Sequence, residues 1–125
     1  MNAEVTALMV ESGETVLSEG LVADSFLGSY TNVLNTPLVV ESIDIAALGN
    51  GNPVFGFLAW LGTTAPFFYF NGDSSSSGGL WRQWTGKLVL LNGQGIAWDL
   101  ESSDASTSWG IQVSGHWELA YRPSF

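Results

Sequence analysis

A chain of 125 residues has room for one domain, 1–125, and for a single core that buries roughly two-thirds of the unfolded surface. It is 46% hydrophobic and 12% charged, with 6 Trp, 7 Phe and 15 Gly, which excludes a disordered tail and argues against a helical bundle. Three basic residues (Arg82, Lys87, Arg122) against 12 Asp and Glu give a formal charge of -9, so phosphate backbones and anionic membranes are not expected partners. There is no cysteine, and hence no disulfide or thiolate chemistry.

The N-terminal third has the least regular pattern. Residues 1–10 lack the basic start of a secretory signal, and none is expected. Short strands are expected at 4–10 and 14–17, around Ser12-Gly13. Residues 21–34 read as irregular or as including a helical turn. Leu21, Val22, Phe26, Leu27 and Tyr30 stand there among Gly, Ser and Asp. Two expectations are open for residues 1–35. They form an arm whose large side chains anchor on a neighbouring subunit or particle, or they supply edge strands and a loop of the same domain.

From residue 38 the apolar period is two. Residues 38–46 form a Val- and Ile-rich strand after Pro37. Asn50-Gly51-Asn52-Pro53 separates it from residues 54–61, and Pro66 separates those from 67–70. The segment 54–70 is short for a membrane span and is cut by Gly62-Thr63-Thr64-Ala65-Pro66, so it reads as two adjacent strands covered on both faces. Asp73 and the run Ser74 to Gly79 form an exposed tip. Strands at 84–91 and 95–101 flank Asn92-Gly93-Gln94, and the pattern predicts a tight hairpin. A polar loop, 102–108, leads to a last strand with Ile111, Val113, Gly115, Trp117, Leu119 and Tyr121 on one face. Gly115 suggests a bulge or a close approach. The expected fold is all-β, a two-sheet antiparallel β-sandwich of jelly-roll type. Expected inward positions are Ile43, Phe55, Phe57, Leu88, Leu90, Ile96, Trp98, Ile111, Val113 and Trp117, with Trp60 and Trp109 also packed inside.

Candidate chemistry is sparse. The single histidine, His116, lies on the polar face of its strand and has no neighbouring pattern of a triad. Asp99 and Glu101 share a strand face, where a carboxylate pair could serve a glycosidase or simply be solvated. Asp73 with its serines lacks the spacing of a calcium loop, and Asp99, Glu101 and Asp104 could gather a cation but form no recognisable metal motif. No catalytic residue, metal or cofactor is expected. Trp81 and Trp84 flank Arg82; the two tryptophans are divided between core and interface, and Trp81, Arg82 and Trp84 join Leu21, Val22, Phe26, Leu27 and Tyr30 as candidate interface residues.

Several segments resemble the small β-sandwich minor structural proteins of tailed bacteriophages. They are Val40-Glu41-Ser42-Ile43-Asp44-Ile45-Ala46, the strand 54–61, Trp84-Thr85-Gly86-Lys87-Leu88-Val89-Leu90 with its Gly turn, residues 96–101, and Ile111-Gln112-Val113-Ser114-Gly115-His116-Trp117-Glu118-Leu119. The likeness covers about residues 38–120, with Gly49-Asn50-Gly51-Asn52 in place of an Asn-rich turn. It implies a non-enzymatic virion component (head decoration, neck or tail) that docks on other virion proteins and is assembled in the bacterial host cytoplasm. The apolar excess points to a homo-oligomer, with a homotrimer expected. The alternative is a carbohydrate-binding module using exposed Trp or Tyr, and a third reading is a glycosidase using Asp99 and Glu101.

Overall fold

The computed structural model describes residues 14–49, 53–63, 65–73 and 79–118. The expected strand at 4–10, the turn at 50–52, the serine tip at 74–78 and the end of the last strand lie outside these residues.

The described residues form eight strands and no helix. They are β1 (Glu14–Val22), β2 (Ser25–Thr31), β3 (Leu38–Leu48), β4 (Pro53–Trp60), β5 (Pro66–Asp73), β6 (Leu80–Leu90), β7 (Gly95–Ser102) and β8 (Ser108–Trp117). Two four-stranded antiparallel sheets have the orders β1-β8-β3-β6 and β2-β7-β4-β5. The chain changes sheet at every connection except β4–β5, which is the jelly-roll path.

Each sheet turns its apolar alternation inward. Leu38, Val40, Ile43, Ile45 and Ala47 from β3, Leu88 and Leu90 from β6, and Trp109, Ile111 and Val113 from β8 form one wall. Phe26, Val54, Leu58, Phe70, Ile96, Trp98 and Leu100 form the other. Each fully buried large aliphatic side chain contributes roughly 1.5–3 kcal/mol of transfer free energy. Trp60 and Trp117 sit at the margin of this core, half-buried.

Four expectations need correction. Residues 21–34 contain no helical turn and are mostly extended: 21–22 complete β1 and 25–31 form β2, edge strands of the two sheets, while only 23–24 and 32–34 are irregular connections. Asn92-Gly93 is a tight turn, with Gln94 N–H donating to Leu91 O at 2.9 Å and Gly93 at φ +85°, yet it does not make a hairpin. β6 and β7 belong to different sheets, so their apolar faces meet across the core instead of lying side by side. Phe55 points outward and is 56% exposed, while Phe57 is half-buried on the same outer face. Gly56 takes the inward position between them, because the side chains of Leu100 and Phe70 fill the space a Cβ would need. The strands β4 and β5 are therefore covered on one face only.

Candidate binding surfaces

The residues singled out by the sequence are scattered. Phe26 is 5% exposed, with its ring edge-on to Trp98 at 5.8 Å, so it is a core residue and no anchor. Tyr30 packs half-buried against the core, and that burial raises its hydroxyl pKa. Trp84 faces inward opposite Ile43 and meets Phe67 edge-on at 5.4 Å. Leu21, Val22 and Leu27 are exposed. Arg82 is exposed too and donates to the carbonyl oxygens of Trp81 and Asn71 at 2.9 and 3.3 Å.

Trp81 is 62% exposed on the outer face of the β1-β8-β3-β6 sheet, opposite Ala46. Ala46 in turn pairs with Gly110, so the small side chains beside the indole leave a groove of about 180 Å³. Ser18, Asp44 and Gln112 line its polar side. Asp44 accepts from Gln83 Nε2 at 2.7 Å, and Gln112 Nε2 donates to Thr15 Oγ1 at 2.9 Å.

The opposite face carries the second surface, which sequence reasoning missed as a unit. Two cross-strand rows run over the β2-β7-β4-β5 sheet. One is Ser25, Glu101, Phe55, Asn71, and the next is Leu27, Asp99, Phe57, Tyr69. Tyr69 is 70% exposed, and its ring lies 6.3 Å from that of Phe57. Phe55, Phe57, Tyr69 and Asn71 surround a shallow hollow of about 380 Å³. The alternation in 95–101 already placed Asp99 and Glu101 together, but the aromatic neighbours come from another strand.

Glu101 is pushed up to about 7. The leading cause is a hydrogen bond to Asp99 that only a protonated Glu101 makes, followed by burial and by repulsion from Asp99 and Asp24. Asp99 Oδ1 is buried and has no hydrogen-bond partner among the described residues. Because the folded-state pKa is raised, the associated stability is fully present below pH 4.5 and is lost as pH rises through about 7. Glu101→Gln keeps a donor toward Asp99 at every pH. It should therefore be more stable than the parent at pH 8 and indistinguishable from it near pH 4.5. Urea midpoints at the two pH values check this, and an unchanged difference across the range contradicts the raised pKa of Glu101.

His116 lies on the outer face of β8 between two carboxylates, Nδ1 at 3.3 Å from Glu41 Oε2 and Nε2 at 3.4 Å from Glu118 Oε2. Asp104 caps its own loop, accepting from Ser106 N–H at 2.9 Å and Ser106 Oγ at 2.7 Å. No group of three His, Asp or Glu side chains is placed to hold a metal ion among the described residues, and no helix there is long and apolar enough to cross a membrane.

The fold defines the chain as a jelly-roll β-sandwich with exposed aromatic side chains on both outer faces. No protein-family model matches it, and no curated protein does. Among solved structures it is similar to dimeric latent PorU from Porphyromonas gingivalis, with 13% identity and a TM-score of 0.45. The match covers 92% of this chain and 14% of PorU. It is also similar to the Yersinia pseudotuberculosis-derived mitogen, with 7% identity, a TM-score of 0.36, and coverage of 86% and 93% of the two chains. Likeness at this level carries no functional argument.

Proposed function

We propose that the chain is a non-enzymatic structural component of a tailed-phage virion that self-associates as a homotrimer and docks on other virion proteins. One observation carries the reading: large apolar side chains stand exposed on both outer faces and along the β1 edge of one small jelly roll. They include Val22, Leu27, Phe55, Tyr69 and Trp81. Large apolar side chains exposed on several sides of a small domain are a common mark of association surfaces. The fold alone does not decide, since jelly rolls serve in capsids and in lectins alike. Support for the phage setting is the strand-and-turn resemblance over residues 38–120. The roles of Leu21, Val22, Leu27, Trp81 and Arg82 as contact residues belong to this proposal.

Sedimentation equilibrium of the purified chain at micromolar concentration tests the self-association. A trimer is the expected species, and a well-behaved monomer overturns it. Electron microscopy of purified particles tests the location, and particles lacking the chain overturn the virion assignment.

The groove beside Trp81 favours a second reading, glycan binding, because an exposed indole next to Asp44, Gln112 and Ser18 supplies both a stacking face and polar partners. Binding of a soluble oligosaccharide that is lost in Trp81→Ala would favour it over the structural role.

A further inference from the structure

The acidic pair and the aromatic rings of the β2-β7-β4-β5 face form one surface of complementary chemistry. Glu101 is the cross-strand neighbour of Phe55, and Asp99 that of Phe57. Side chains in such pairs stand about 5 Å apart, so a group lying over one ring reaches the carboxylate beside it. Neither carboxylate has a basic partner among the described residues. Lys87 is on β6, in the other sheet, and Arg82, also on β6, directs its guanidinium to the carbonyl oxygens of Trp81 and Asn71.

We propose that this face binds a basic segment of a partner protein, with an arginine side chain laid over Phe55 and Phe57 and its guanidinium between Asp99 and Glu101. Charge complementarity selects this occupant. Two adjoining carboxylates repel each other, and a cation removes that repulsion. A neutral sugar would cover the rings and leave the repulsion in place, and a phosphate would add to it. Guanidinium also stacks on aromatic faces and bonds two carboxylate oxygens at once, which an ammonium does less well. Leu27 and Tyr69, at the two ends of the Asp99 row, offer apolar contact to residues flanking the arginine. The net charge of -9 steers basic partners toward the molecule.

The groups facing Glu101 are Asp99 on its own strand and Asp24 just before β2, while β4 presents the uncharged Phe55 and β2 the uncharged Ser25. Among the described residues all the charge around Glu101 is thus negative, and it is the ionised form that receives the arginine. Affinity should fall between pH 8 and pH 6, and binding at pH 7 should release a proton. The site does not rest on the virion reading and is testable on the isolated chain.

The test is an amide-resolved NMR titration of the full chain with an acetylated, amidated hexapeptide containing two arginines and no acids. The same peptide with citrulline for arginine, and maltohexaose, serve as comparison probes. The arginine peptide should shift the amides of Phe55, Phe57, Asp99 and Glu101. The citrulline peptide should bind about tenfold more weakly or less, the scale of one lost charge-assisted contact. The double variant Asp99→Asn/Glu101→Gln should lose binding with the rest of its spectrum unchanged. Phe55→Ala, at an exposed position, should weaken binding without unfolding. Equal binding of the citrulline peptide, shifts confined to another face, or no shifts at millimolar peptide overturns the proposal. So does a preference of this face for maltohexaose.

Discussion

Gly115→Ala should be the most damaging single methyl group in the molecule, costing about 3–5 kcal/mol of stability, a large part of the roughly 5–15 kcal/mol that holds a domain together. Gly115 lies on β8 between Val40 of β3 and Glu14 of β1. A Cβ there would be driven into the carbonyl oxygen of Val39, 2.9 Å from its carbonyl carbon and 3.0 Å from Val40 Cα. These are backbone atoms of a central strand and cannot rotate away. The register of β3 slips between Val40 and Ser42 against both its neighbours, and that of β1 slips between Thr15 and Leu17 at the same level. The sheet is thus already bent where the glycine sits. Gly110→Ala is the matched comparison on the same strand. Its Cβ would meet nothing closer than Ala46 Cβ at 3.9 Å, so a change within about 0.5 kcal/mol is expected. Chemical denaturation of both variants decides. Similar midpoints for the two would show that β8 and β3 do not approach as described.

Asn32→Asp should be nearly as costly, about 3–4 kcal/mol at pH 8, although it changes one atom. Asn32 is fully buried at the end of β2. Its Nδ2 donates to Leu90 O at 2.8 Å and Thr36 O at 3.0 Å, and its Oδ1 accepts from Leu34 N–H at 2.9 Å. Its backbone closes the junction with the β6–β7 turn, accepting from Gly93 N–H at 2.7 Å and donating to Gln94 O at 2.9 Å. A carboxylate would direct an anion at two carbonyl oxygens. Protonation restores one of the two donors, so the buried acid titrates above its ordinary range. The variant should regain stability as pH falls, the opposite of ordinary acid destabilisation. Asn32→Ala, which removes all three bonds but buries no charge, should lose about 2–3 kcal/mol with no such pH dependence. Thermal melts across pH 5–8 separate the two. Equal, pH-independent losses would mean that the amide does not face those carbonyls.

This network holds Val33, Leu34 and Leu91 exposed at one end of the sandwich. Asn92 Nδ2 donates to Leu34 O at 3.2 Å, and Leu91 N–H donates to Gln94 Oε1 at 2.9 Å. Loss of the Asn32 bonds would therefore loosen two connections together. Nothing in the local sequence marks Asn32 for this role. Its farthest side-chain partner lies 58 residues away, at Leu90.

The alternation of apolar and polar residues determined a great deal by itself. In 95–101 it assigns Ile96, Trp98 and Leu100 to the core and Asp99 and Glu101 to the outside, and in 109–117 it assigns Ile111 and Val113 inward. Both hold because one face of each strand is polar, leaving a single phase that buries the apolar set. In 54–61 every residue is apolar or glycine, so either phase buries hydrophobic groups. There the choice fell to Gly56, whose missing side chain makes room for Leu100 and Phe70 and turns Phe55 outward. Residues 21–34 have weak strand character of their own, and their extended form comes from pairing with β7 and β8. The turn at Asn92-Gly93 was legible, but whether its strands pair or part was not. The same turn chemistry suits both outcomes, and only closure of a common core between two sheets sends β6 and β7 apart. Asp99 and Glu101 were visible as neighbours. The raised pKa of Glu101 and the place of both beside Phe55 and Phe57 were decided by tertiary structure, because cross-strand distance is set by register and not by position along the chain.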